Sequence, residues 1–287
     1  MCLVAFALNQ SSRFPFVLAS NRDEFYERPA AQLEWWEPEG GGPAILGGRD
    51  LLEGGTWLGL TASGRLGLVT NVRNLAKTNP QAPSRGHIAT QWLKDDTDMG
   101  HLWPRLATAG YNGYNMVALD FAKRDFFWLN NEQREPKRLH DGLFGLSNAE
   151  LDTPWPKVKA LTTNLASAVC GSVDAGDLAT RLFAALADPN QANDEELPHT
   201  GVPYEWEKKL SSVFIREPGL RYGTRSSMVI VTERVKQGWN THVMERTFTS
   251  QPSTVPMRRV TLKNWPIGHM PCESSAVVEQ RISDLSA

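Results

Sequence analysis

Short apolar runs separated by polar turns organise this chain. Residues 2–8 and 14–19 read as two strands joined by the polar turn Asn9-Gln10-Ser11-Ser12-Arg13, a hairpin that begins at the N-terminus. Residues 56–60 and 66–72 predict a second hairpin turning at Ala62-Ser63-Gly64-Arg65. A third spans 114–121 and 126–130 and turns around Lys123-Arg124, while 229–232 and 241–247 suggest a last strand pair. Helical periodicity appears in two groups, at 87–93 with 102–109 and at 158–169 with 177–186.

Residues 38–55 are so dense in glycine and proline that a loop-rich stretch is expected, of the kind that often lines sites. Beyond residue 250 the chain turns polar and proline-punctuated. This predicts one domain over 1–250 followed by a peripheral, partly disordered tail over 251–287. Strand blocks joined by hairpins and alternating with helix blocks argue for an α+β fold, with antiparallel sheets covered by helices. A doubly wound parallel sheet would need helical crossovers, and neither an internal repeat nor a phosphate-cradling GxxxxGK is present.

The 287 residues carry 30 Lys and Arg against 32 Asp and Glu, a formal charge of −2, so no basic field attracts nucleic acid or anionic lipid. No apolar run approaches the roughly 20 residues of a membrane helix. The first residues have no basic lead and no cleavage pattern, so no signal peptide is expected. Three cysteines, Cys2, Cys170 and Cys272, fit neither a disulfide framework nor a CxxC knuckle, which favours a reducing, cytoplasmic setting. The histidines fall in no metal-binding spacing such as HxxxH, and no metal is expected.

Cys2 follows the initiator Met, and its side chain is small enough for Met1 to be removed. A free α-amine, with a pKa of about 7.7 to 8.0, then serves as base for the thiol of its own residue. The competing reading makes Cys2 a small apolar residue of a buried strand. Asn21-Arg22-Asp23-Glu24 ends the second strand, where a hairpin brings it toward Cys2. Asp23 suits the orienting of the terminal ammonium, and Arg22 the steering of an anionic substrate or the polarising of the thiol. A turn with a buried ion pair is the alternative.

Together with Met1-Cys2, the segments Asn21-Arg22-Asp23-Glu24, Gly54-Gly55-Thr56-Trp57-Leu58-Gly59 and Val69-Thr70-Asn71-Val72-Arg73-Asn74 resemble the transport and Golgi organisation family, also called the NRDE family. Ser84-Arg85-Gly86, Gly145-Leu146-Ser147-Asn148, Asp152-Thr153-Pro154-Trp155-Pro156-Lys157, Gly223-Thr224-Arg225-Ser226 and Glu245-Arg246-Thr247-Phe248 extend the resemblance in matching order. It implies a four-layer αββα fold related to the N-terminal-nucleophile hydrolases, among them bile salt hydrolases and penicillin V acylases. Those enzymes place an Arg three residues before the Asp of the corresponding loop, whereas here Arg22 directly precedes Asp23.

On this reading Cys2, Arg22, Asp23 and Asn71 are the catalytic candidates. Asn71, at a strand end, suits an oxyanion donor, with Asn148 second for that task. Asn21, Trp57, Asn148 and Arg225 are the candidate substrate-binding residues. Trp57 offers a flat wall and Arg225 a partner for a carboxylate or phosphate, although core packing and a structural ion pair would explain the same two residues. Two functions follow. One is an amidase, thioesterase or acyltransferase acting on a small acyl substrate and needing no cofactor. The other is a non-catalytic carrier of haem, lipid or acyl-coenzyme A in the same pocket, with Cys2 a candidate ligand to haem iron.

Overall fold

The chain opens with β1 (Cys2–Leu8) and β2 (Phe16–Phe25) and continues through β3 (Ala30–Trp36), β4 (Ile45–Asp50), β5 (Leu58–Thr61) and β6 (Arg65–Asn71). Helices α1 (Gly86–Lys94) and α2 (Met99–Thr108) follow, then β7 (Tyr114–Asp120), β8 (Asp125–Asn130), β9 (Lys137–Arg138) and β10 (Gly142–Leu146). Next come α3 (Pro156–Gly171), α4 (Ala175–Leu186) and the short α5 (Tyr204–Lys209). The last described elements are β11 (Tyr222–Arg234), β12 (Trp239–Thr247) and β13 (Arg258–Lys263). This computed structural model describes residues 2–133, 135–216, 219, 221–250 and 256–265.

Two antiparallel sheets result. The first runs β10-β1-β2-β11-β12-β13 and the second β3-β4-β5-β6-β7-β8-β9. Alternate residues of each strand point to opposite faces, so both sheets bury both faces. Val4, Phe6 and Leu18 of the first sheet meet Leu58, Leu66 and Val117 of the second in a core between the sheets. Leu3, Ala5 and Val17 turn the other way, onto Leu161 and Leu165 of α3 and Leu182 of α4. On the outer face of the second sheet, Val69 and Met116 pack against Trp92 of α1 and Trp103 of α2. The layer order is therefore helix, sheet, sheet, helix, the αββα arrangement of an α+β fold that the sequence implied.

The sequence reading does not contain β3, β9 or α5, and it is corrected at three further places. β2 does not stop at residue 19 but carries Asn21-Arg22-Asp23-Glu24 within it, because β1 pairs with it on one side and β11 on the other. A two-sided ladder satisfies the backbone of a polar segment that has no apolar alternation of its own. The expected loop over 38–55 contains β4, whose glycines are steric requirements: a Cβ on Gly48 would lie 2.3 Å from the Trp57 indole. The tail over 251–287 falls mostly outside the described residues, yet its described part contributes β13, paired with β12. Trp265 is buried between the sheets and donates its indole N–H to the Thr61 carbonyl at 2.8 Å, so the fold extends past residue 250.

Candidate active site

The register of β1 and β2 sets Cys2 directly opposite Arg22. Counting by twos from Val4 and Leu18, which enter the core between the sheets, puts Cys2 and Arg22 on that same face. Asn21 and Asp23 take the phase of Val17 and Ala19, toward the helices. At the strand ends the gap between the sheets opens into a cleft of about 530 Å³. Cys2, Arg22, Asp23, Glu24, Trp57 and Asn71 all line it.

Cys2 is buried, and burial pushes its thiol up. The positive charge of the chain's amino end and of Arg22 opposes that rise, while Asp23 and Glu24 add to it. The Arg22 guanidinium lies over the Trp57 ring at 4.2 Å and 3.8 Å from the Glu24 carboxylate. Its Nη1 is buried with no hydrogen-bond partner among the described residues. Stacking on an indole favours a guanidinium over an ammonium here, since only the planar fork can lie flat.

Asp23 is buried, and its Oδ1 accepts the Thr224 hydroxyl at 2.7 Å. The Tyr222 hydroxyl donates to the Asp23 backbone carbonyl at 3.0 Å. Burial pushes the carboxyl up. Against it act the Lys157 ammonium, the amino terminus, the Thr224 bond and Arg73.

Asn71 ends β6 at the cleft, and its side-chain amide makes no hydrogen bond to another described residue. Its backbone carbonyl accepts the Asn148 side-chain amide at 2.9 Å. Ser147 completes this support. Its hydroxyl donates to the Cys2 carbonyl at 3.1 Å and lies 3.2 Å from Asn148 Oδ1. The segment after β10 thus ties the first strand of one sheet to the end of β6 in the other.

The structure brings Cys2, Arg22, Asp23, Trp57 and Asn71 together and places three other candidates elsewhere. Asn21 faces the helix layer, donating to the carbonyls of Leu186 and Val213 at 2.8 and 2.9 Å and accepting from Ser227 at 2.6 Å. Asn148 commits its amide to Asn71 and is fully buried, so it supports the cleft instead of lining it. Arg225 sits at a bulge in β11 and donates to the carbonyls of Phe25 and Arg28 at 2.7 and 3.0 Å, which spends it on the backbone after β2.

Sequence reasoning left Arg73, Arg85, Ser147 and Lys157 without roles, although each lies in a segment that carried the resemblance. Arg85 lines the cleft, and burial lowers its pKa. The Arg73 side chain is buried and paired with Glu207 at 2.7 Å. Lys157 follows Pro156 at the start of α3, where a proline is preset for the first helical turn. A lysine at such a position ordinarily reads as a solvated surface residue, and only the packing of α3 on the first sheet buries it. No group of three or more His, Cys, Asp and Glu residues gathers at metal-binding distance among the described residues.

Solved structures to which the chain is similar include the Caenorhabditis elegans N-acylethanolamine-hydrolyzing acid amidase ortholog, at 11% identity and TM-score 0.45, covering 80% of this chain and 92% of that one. A variant of the conjugated bile acid hydrolase of Clostridium perfringens aligns at 8% identity and TM-score 0.46, over 88% of this chain and 98% of that one. In sequence, the transport and Golgi organization protein 2 homolog of Bos taurus is 34% identical over 251 residues, 81% of this chain and 89% of the relative. The Homo sapiens homolog is 32% identical over 258 residues, with the same coverage of 81% and 89%. The Drosophila melanogaster protein is 24% identical over 270 residues, 87% of this chain and 93% of that one. The family model described as Transport and Golgi organisation 2 matches residues 1–250, and the chain belongs to that family.

Proposed function

We propose that this protein is an N-terminal cysteine hydrolase that cleaves a C–N or thioester bond in a small acyl substrate, with Cys2 as nucleophile. The observation that supports this most strongly is the position of Cys2 in the cleft, on one face with Arg22, in a lining that also includes Asn71. Removal of Met1 frees the Cys2 α-amine, which takes the thiol proton as the sulfur attacks the substrate carbonyl. A C–S bond forms, and the charge that develops on oxygen receives the Asn71 amide. The bond to the leaving group then breaks, and the amine or thiol departs with the proton held by the α-ammonium. Water, deprotonated by the same amine, cleaves the thioester and restores the thiol. Asp23 holds the amine in place, and Arg22 draws negative charge toward sulfur. The chemistry needs no cofactor, and a free thiol persists in the reducing cytoplasm where this reading places the protein.

The test is release of amine or thiol from a panel of acyl amides and acyl thioesters by the purified protein. Turnover is expected to disappear in Cys2→Ala and to fall roughly 10²- to 10³-fold in Asn71→Ala, the usual effect of losing one oxyanion donor. Turnover that survives in Cys2→Ala contradicts the proposal.

One observation favours the carrier reading. Burial raises the Cys2 thiol and so favours its neutral form, which suits a lining group as well as a resting nucleophile. The cleft suits haem poorly, because Arg22 already covers the Trp57 face that a porphyrin plane would need. Haem titration followed by absorbance decides it. A saturable spectrum lost in Cys2→Ala supports a carrier, and unsaturable binding indifferent to Cys2 excludes this site.

A further inference from the structure

At the end of the sandwich away from Cys2, the space between the sheets opens a second time, into a pocket of about 350 Å³. Its lining comes from the ends of β1 and β11, the starts of β2 and β12, and the turn between β7 and β8. Leu8 lines this pocket and Cys2 the cleft, and the strand between them spans about 20 Å. A small ligand here does not reach the thiol, so the inference stands apart from the hydrolase reading.

The walls are aromatic. Phe16 and Phe121 meet edge to face with ring centroids 4.9 Å apart, Phe126 lies 5.2 Å from Phe121, and half-buried Trp239 also lines the pocket. The charged residues of the lining are Lys123 and Arg124, and no acidic residue joins them among the described residues. Acids close by are already engaged: Asp120 pairs with Arg65 at 3.1 Å, Glu233 with Arg13 at 2.9 Å, and Asp125 with Arg138. Lys123 lies 4.0 Å from the same Asp120, and Arg234, over the Trp239 ring at 4.5 Å, adds positive charge beside the pocket. Apolar walls with cations and no acid select a ligand with an apolar body and an anionic head. The volume is near the low end of the roughly 300–1,000 Å³ usual for ligand pockets, so that ligand is small.

Arg124 is the cation free to take the head group. It forms no ion pair and no side-chain hydrogen bond among the described residues. Its backbone supplies a second observation. Four non-glycine residues have positive φ among the described residues, and three are Asn or Asp, whose short polar side chains suit that region. The fourth is Arg124, at φ 54°. An arginine there carries a conformational cost that glycine or asparagine would avoid, and strain of this kind concentrates at ligand sites.

We propose that this pocket binds a small amphipathic carboxylate, with its apolar chain among Phe16, Phe121, Phe126 and Trp239 and its head group on Arg124. The site is separate from the Cys2 cleft, and its occupation does not depend on whether the protein turns over a substrate.

The test is titration calorimetry of the full-length protein with decanoate, kept below its micelle concentration. Decanol and decyltrimethylammonium carry the same chain with no charge or the opposite charge. Saturable binding of decanoate is expected, with the other two weaker by roughly tenfold or more. Arg124→Asn removes the cation and suits the backbone, so it is expected to keep or raise the melting temperature while weakening decanoate by roughly tenfold or more. Ala122→Trp, at an exposed position of the lining, is expected to block the pocket, and Cys2→Ala to bind as the wild type does. The absence of saturable binding overturns the proposal, as does decanol binding as tightly as decanoate. Undiminished decanoate binding in Arg124→Asn overturns it too, because the anion then sits elsewhere.

Discussion

The contact that shapes the cleft at the residue scale is the stack of Arg22 on Trp57, and a glycine on β4, the strand paired with β5, permits it. The indole lies where a side chain on Gly48 would otherwise be, with only 2.3 Å between its ring and a Cβ built at that position. Gly48 has no positive φ, so close approach, not backbone conformation, explains the residue. Gly48→Ala is therefore expected to push Trp57 out of place and to destabilise the protein by about 1–3 kcal/mol, the usual range for an overpacked core. Denaturant unfolding gives the energy. If Trp57 fluorescence and the unfolding midpoint are unchanged, the indole does not sit against Gly48.

A second residue-scale consequence concerns Arg73 and Glu207, an ion pair at 2.7 Å with both side chains buried. Such a pair contributes little net stability, but breaking it leaves a charge stranded. Glu207→Ala is expected to cost about 3–5 kcal/mol by denaturant unfolding, and the double variant Arg73→Met with Glu207→Ala markedly less. Additive losses would show that the two charges do not act as a pair.

Single elements of the first sheet carry two titrations of opposite sign. Burial holds the Glu245 carboxyl of β12 up at about 7, although the Leu33 N–H bond, Arg258, Ser226 and Arg22 pull it down. Its native value lies above its ordinary one. Its stabilising effect is therefore complete below about pH 4.5 and is lost as pH rises toward about 7. Burial, with Arg259 beside it, holds His242 of the same strand down at about 4. Its effect is complete above about 6.5 and lost as pH falls toward about 4. The two slopes oppose each other over the shared range. Glu245→Gln removes one of them, so its stability relative to wild type is expected to rise between pH 5 and pH 8, by roughly 1–3 kcal/mol at the upper end. A difference that stays constant across that range would contradict a raised Glu245.

Elements also show what was legible in the sequence. The hairpins at 2–19, 56–72 and 114–130 and both helix groups announced themselves through period two and period 3.6, because packing and local pattern agree there. The polar end of β2 did not. Asn21 and Asp23 carry no apolar phase, and their strand exists because β1 and β11 flank it. β4 was hidden for a related reason, since its Gly47 and Gly48 resemble loop residues until Leu58 and Trp57 are seen pressed against them. Within the site, Cys2, Arg22, Asp23, Trp57 and Asn71 could be gathered in advance from motif order, whereas the burial of Lys157 depends on a helix packing that no local pattern encodes.

At the scale of the whole molecule, two sheets share one core, and the cleft exists because that core opens at the ends of β1, β2 and β6. The last described strand belongs to this arrangement. β13 pairs with β12, and Trp265 fills the core beside Phe121, with ring centroids 5.3 Å apart; its indole N–H donates to the Thr61 carbonyl of the other sheet, and its backbone carbonyl accepts the Thr241 hydroxyl of β12. Trp265→Ala is expected to lose about 3–5 kcal/mol by denaturant unfolding, as for other buried large-to-small changes. A loss below about 1 kcal/mol would return this residue to a peripheral tail. Among the described residues no helix is long and apolar enough to cross a membrane.

The central claim is that the open end of this sandwich carries a working nucleophile at Cys2. Intact mass spectrometry before and after exposure to a thiol-reactive acylating reagent tests it most directly, on the wild type and on Cys2→Ala. The expected result is a wild-type chain without Met1 that gains a single acyl group, and a Cys2→Ala chain that gains none. A chain that keeps Met1, or an adduct formed equally well without Cys2, would contradict the account and leave the cleft as a binding site.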